Sequence, residues 1–189
     1  MSHSTSSVTT ENFEDDISKT TYFHPNGNIR KIHWYKNGIN HKDNYEFSSF
    51  YYHQNGNLKK KCRYTEGFLH SPNDPSVEIY DEDGSLLIKC WYLDGYIHRD
   101  DDLPAIIEHK KHDFVEMTWY KYGNIYREKD YPNKVLYIDE HVICENWIRD
   151  DHYYRKDSLP AQIKYDEDGS VIQKIWYKHG EFLRECFYV

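Results

Sequence analysis

The chain lacks most features that mark a catalytic or membrane-spanning protein. No stretch approaches the roughly 20 apolar residues a transmembrane helix requires. The amino terminus carries neither the basic flank nor the apolar core of a secretory leader. No segment of ten or more residues shows the apolar period of an amphipathic helix. The four cysteines, Cys62, Cys90, Cys144 and Cys186, contain no Cys-x-x-Cys pair, so a zinc site has no support from spacing. Nucleophile elbows, phosphate loops and dinucleotide fingerprints are missing, and no cofactor, metal or catalytic residue is expected. Basic charge is also scarce. With 24 Lys and Arg against 32 Asp and Glu, the formal charge is −8, which opposes general binding to nucleic acid or anionic lipid.

Aromatic residues are what the chain has in quantity. They make up 17% of it, including 19 Tyr and 5 Trp. Such rings suit a thin sheet, where a side chain can be half covered and keep its polar end wet. They also recur. Trp34-Tyr35, Trp91-Tyr92, Trp119-Tyr120 and Trp176-Tyr177 are each followed by a Gly-containing turn, Trp147-Ile148 is a weaker copy, and Arg63-Tyr64-Thr65-Glu66-Gly67 keeps only the tyrosine and the glycine. The column 34, 63, 91, 119, 147, 176 advances by 28 or 29 residues. A fixed period of this length denotes a repeat array, in which each unit packs mainly on its neighbours.

Each repeat reads as two strands and two turns. The first strand starts at or just after proline, as in Leu103-Pro104-Ala105-Ile106-Ile107 and Leu159-Pro160-Ala161-Gln162-Ile163, a position where proline is tolerated. An Asn-Gly or Asp-Gly turn follows at Asn26-Gly27, Asn55-Gly56, Asp83-Gly84 and Asp168-Gly169. The copies at 110–112 and 138–140 lack the glycine and predict a different turn. The second strand ends at the Trp-Tyr pair. A further Gly turn, a segment ending His-Arg or Tyr-Arg, and an acidic loop lead to the next repeat. Residues 1–18, Ser/Thr-rich and then acidic, are expected to be a flexible tail, and residues 19–189 a single repeat domain. The last residues, Cys186 to Val189, read as the start of one more strand. The predicted fold is all-β: an elongated antiparallel β-meander, an open solenoid of about six stacked hairpins.

Period-two alternation places Trp34, Trp91, Trp119, Trp147 and Trp176 on one side of the sheet and Tyr92, Tyr120 and Tyr177 on the other. Both columns are candidate partner-binding ribbons. Equally, they can be cross-strand packing, which stabilises a sheet by itself. His98, Asp100 and Asp102 have ligand-type side chains, yet the same slot reads Tyr126, Glu128 and Asp130 one repeat on, which favours an Arg–Asp loop that pairs charge and bonds backbone. The column His41, His70 and His98 has the same two readings. Lys59, Lys61 and Arg63 share one strand face and form the candidate contact for anionic lipid. Cys62 and Cys90 occupy equivalent positions two strands, about 10 Å, apart, too far for a disulfide. Free thiols in a reducing, intracellular compartment follow.

The order Trp-Tyr-x-x-Gly-x-x-His-Arg, acidic loop, Leu-Pro-Ala-x-Ile-x-Tyr and Asp-Glu-Asp-Gly resembles the MORN repeat in a longer form of about 28 residues. It departs from the ordinary unit by about five extra residues before the proline and by fewer internal glycines. Arrays of this kind are similar to the MORN-like proteins of large amoeba-infecting DNA viruses and to bacterial antitoxin-like variants. The resemblance implies a non-catalytic scaffold that binds a protein partner, such as a host or virion protein in host cytoplasm or virion, or that forms a homodimer through a sheet edge or face. The alternative is a peripheral membrane or phosphoinositide-binding module acting through strand 59–63.

Overall fold

The computed structural model describes residues 7–178 and 180–188. Expectations for residues 1–6, 179 and 189 lie outside these. The described residues are all-β: antiparallel strands joined by hairpins, with one short 3-10 turn at Asp43–Tyr45. They fall into two compact units, Met1–Tyr96 and Ile97–Val189.

In the first unit, β1 (Val8–Asn12), β2 (Ile17–Phe23), β3 (Ile29–Lys36), β4 (Phe47–Tyr52), β5 (Leu58–Thr65), β6 (Val77–Tyr80) and β7 (Leu86–Cys90) pair in sequence order, each antiparallel to the last. In the second, β8 (Ile106–His109), β9 (Phe114–Thr118), β10 (Lys134–Ile138), β11 (His141–Asn146), β12 (Gln162–Tyr165), β13 (Val171–Lys178) and β14 (Glu181–Phe187) do the same. Both are open meanders of hairpins. The prediction of an all-β hairpin array holds in each.

Three boundaries differ from expectation. Val8–Asn12 is not tail but a strand, with Val8 facing Tyr22 and Asn12 facing Ser18; alternation is hard to read there because every residue of it is exposed. At the other end, Glu181–Phe187 runs back along β13 as one strand rather than beginning at Cys186. The internal strands stop one residue before the tryptophan: β7, β9 and β11 end at Cys90, Thr118 and Asn146, and the chain then turns aside into a two-residue arm such as Tyr120–Lys121 paired with Asn124–Ile125.

The packed positions are small. Ser48, Ser76, Ala105, Asn133 and Ala161, one per repeat just after the proline slot, are buried, and four of them show no more than 1% exposure (Ser48, Ser76, Ala105 and Ala161). A side chain of this size lets the backbones close up: Trp119 N–H reaches the Asn133 carbonyl and Trp147 N–H the Ala161 carbonyl, both at 2.9 Å. Ser76 and Asn133 also bond the next arm, Ser76 by donating to and accepting from Tyr92 and Asn133 by donating to and accepting from Ile148. The glycine-free turns are two-residue turns with both residues at positive φ, His112-Asp113 and Asp139-Glu140. That is the type I′ geometry, here carried by residues other than glycine. Cys62 lies opposite Val77, which lies opposite Cys90, so a whole strand separates the thiols and both are free.

Candidate interaction groove

The tryptophans are tied to the acidic loops. Four of the five indole N–H groups donate to a loop carbonyl upstream: Trp91 to Asn73 (3.1 Å), Trp119 to Asp102 (2.8 Å), Trp147 to Asp130 (2.8 Å) and Trp176 to Ser158 (3.0 Å). Trp91, Trp119 and Trp147 are 6% exposed, because the break in the strand turns each ring under its loop. An arginine then covers the ring, with the Arg127 guanidinium 3.9 Å above Trp119 and that of Arg155 3.6 Å above Trp147. Arg127 also pairs with the Asp102 carboxylate and donates to the Pro132 carbonyl; Arg155 does the same with Asp130 and Pro160. One arginine therefore joins the loop before it, the ring beneath it and the loop after it. This is the Arg–Asp loop read from the sequence, and it engages Trp119 and Trp147 in packing, while Trp91 is buried under the loop that carries Asn73. Trp34 and Trp176, in strands that continue unbroken, stay half-buried. Of the tyrosine column, Tyr92, Tyr120 and Tyr177 are half-buried, and Tyr177 stacks on Tyr153 with ring centres 4.6 Å apart.

The histidine column closes turns. Nδ1 of His41 accepts the Glu66 amide, Nδ1 of His70 that of Asp94, and Nδ1 of His98 that of Tyr122, at 3.2–3.3 Å. His98 is buried, stacks on Tyr122 and faces the Asp100 carboxylate through Nε2 at 3.1 Å. In the next two repeats this slot holds Tyr126 and Tyr154. A phenol cannot offer the ring nitrogen a turn amide needs, and both rings remain in solvent, 48% and 38% exposed.

That replacement opens a groove of about 740 Å³ in the second unit. Tyr126, Tyr131 and Tyr154 line it with Trp147 at its base, and Lys129, Arg149 and Lys156 stand around it with Asp150 and Asp151. Arg127, Arg155 and Asp130, also in its wall, are committed to the pairs just described. The Arg149 guanidinium lies 4.5 Å over the Tyr154 ring. The exposed tyrosines were not singled out in the sequence. The available signal was that the His slot changes to Tyr at 126 and 154.

The expected lipid-binding set is only partly accessible. Lys61 pairs with Glu78 at 2.9 Å, and Arg63 donates to the Pro75 carbonyl and covers the Phe47 ring at 3.7 Å; Lys59 alone of the three is exposed. Burial by itself would raise the Glu78 carboxyl, but hydrogen bonds from Tyr80 and Lys61 hold it below its ordinary range. Burial pushes the Cys62 thiol up to about 11 and also raises that of Cys144. No helix among the described residues is long and apolar enough to cross a membrane. In comparisons with known proteins, no family model and no curated protein matches the chain.

Proposed function

We propose that this protein is a non-catalytic, MORN-like repeat scaffold that binds a protein partner through the tyrosine-lined groove of its second unit. The observation that carries this is the exposure of Tyr126, Tyr131 and Tyr154 together around one concave surface, while the tryptophans of the same repeats are buried. Tyrosine is favoured at interfaces because it supplies large contact area, a polar tip and little rotamer entropy to lose. The histidine column engaged at turn amides, and the Cys62 and Cys144 thiols raised by burial, support a binding rather than a chemical role. Affinity capture from the native cell with the wild type and with Tyr126→Ala/Tyr131→Ala/Tyr154→Ala tests it. Loss of the main captured proteins with the triple variant is expected, and an unchanged set overturns the reading. The anionic-lipid alternative retains Lys59; salt-sensitive flotation with liposomes that disappears in Lys59→Glu would favour it instead.

A further inference from the structure

The groove has a sign and a spacing as well as rings. No carboxylate of the described residues pairs with Lys129, Arg149 or Lys156, and all three are exposed. Of the eight charged side chains in the wall, Arg127, Lys129, Arg149, Arg155 and Lys156 are cationic against Asp130, Asp150 and Asp151. The lining is therefore net positive on a chain of charge −8, and the uncommitted cations lie beside the exposed rings.

Tyr126 and Tyr154 are the same slot in successive repeats, 28 residues apart. Each repeat adds two strands, so equivalent side chains recur at about 10 Å. An extended β ligand places alternate residues on opposite faces, so its residues i and i+3 cannot both face the groove. A polyproline II segment has three residues per turn and rises about 9.3 Å over them. Its residues i and i+3 therefore lie on one side at nearly the repeat spacing, and proline rings pack well on aromatic side chains.

Resting on the protein-binding reading above, we propose that the groove takes an acidic, proline-rich segment in the polyproline II conformation. Every third residue lies against Tyr126 and then Tyr154, and its carboxylates are met by Lys129, Arg149 and Lys156.

The test uses the full chain and three fluorescein-labelled peptides of equal length in fluorescence anisotropy: repeats of Glu-Pro-Pro, the same peptide with Gly and Ser in place of Pro, and repeats of Lys-Pro-Pro. The Glu-Pro-Pro peptide is expected to bind tightest, with affinity falling as salt rises. Tyr126→Ala/Tyr154→Ala should weaken it at least about tenfold, in line with truncation of an interface anchor, and Arg149→Glu/Lys156→Glu should remove its preference over the Lys-Pro-Pro peptide. Both pairs are exposed, so the fold should persist, and an unchanged denaturation midpoint checks this. Equal or tighter binding of the Lys-Pro-Pro peptide overturns the acidic ligand, and equal binding of the Gly/Ser peptide overturns the polyproline II conformation. If no peptide binds but the triple tyrosine variant still loses its captured partners, this inference falls and the protein-binding reading stands. If neither assay responds to the tyrosines, both fall.

Discussion

The guanidinium of Arg155 lies 3.6 Å above the ring of Trp147, and its Nε donates to the Asp130 carboxylate at 3.0 Å, while the indole N–H of Trp147 donates to the carbonyl of that same Asp130. The three residues come from one loop and the repeat that follows it, and they lock the loop over the sheet. Removing the indole nitrogen leaves a carbonyl without its donor, whereas removing the ring leaves a cavity. Trp147→Phe should therefore cost about 1–3 kcal/mol and Trp147→Ala about 3–5 kcal/mol. Denaturant titration of both variants checks the order; no loss in Trp147→Phe would show that the indole N–H contributes nothing, and equal losses that the ring's packing adds nothing beyond it.

The turn glycines are not equivalent. Gly67 has φ +85° and an added Cβ would sit 3.1 Å from Cγ2 of Ile39, whereas Gly38, at φ +74°, faces open space. Gly67→Ala should destabilise by about 1–3 kcal/mol, and more than Gly38→Ala. Combining it with Ile39→Ala should recover the difference, because only the steric part depends on that side chain. A double-mutant cycle on unfolding midpoints reads this directly.

His33 is buried with Nε2 unpartnered, and Nδ1 is engaged by Asn40 and Ser49. Burial, then the Lys31 ammonium, depresses its pKa below 6.5. The folded state therefore holds the neutral ring, and the unfolded chain takes up the proton first. The contribution of this group is fully present above about pH 6.5 and is lost as pH falls toward and through the lower folded value. The wild type should lose stability on mild acidification by more than His33→Gln does, as measured by unfolding midpoints across that window. Identical pH slopes would contradict it.

The cysteines should react in order of access. Cys186 is exposed and Cys62 fully buried, its thiol pushed up to about 11 by burial. Thiol-specific labelling of the native chain, read by peptide mass, should modify Cys186 first and Cys62 only on unfolding, since the thiolate is the reactive form. Early modification of Cys62 would mean that β5 opens readily.

The small column should tolerate little. Ala105 and Ala161 are 0% and 1% exposed, beside backbone bonds of 2.9 Å. Ala161→Leu should cost about 1–3 kcal/mol by overpacking, whereas Ala161→Ser should cost less, because Ser76 fills the equivalent slot. Thermal unfolding of the pair checks this.

The period of the Trp-Tyr pair, the proline slot and the Gly turns was enough to specify hairpins, since alternation and turn chemistry act over a few residues and repeat themselves. The Arg–Asp loop was legible for the same reason: Asp102 and Arg127 recur as Asp130 and Arg155. The strand Val8–Asn12 was not legible, because an exposed edge strand carries no apolar alternation. Nor was the fate of the tryptophans. Whether an indole at a strand end faces solvent or folds under a loop depends on a carbonyl 17 residues upstream, a distance that periodicity does not report.

By itself, then, the sequence determined the unit: which residues form strands, where they turn, and that the unit is copied. Tertiary packing decided which aromatic side chains the copies bury and which they leave in solvent. His98 and Tyr126 occupy one slot of the repeat, but a turn amide has a ring nitrogen to meet at the first and none at the second. Only with the neighbouring repeat in place does that difference become an open groove.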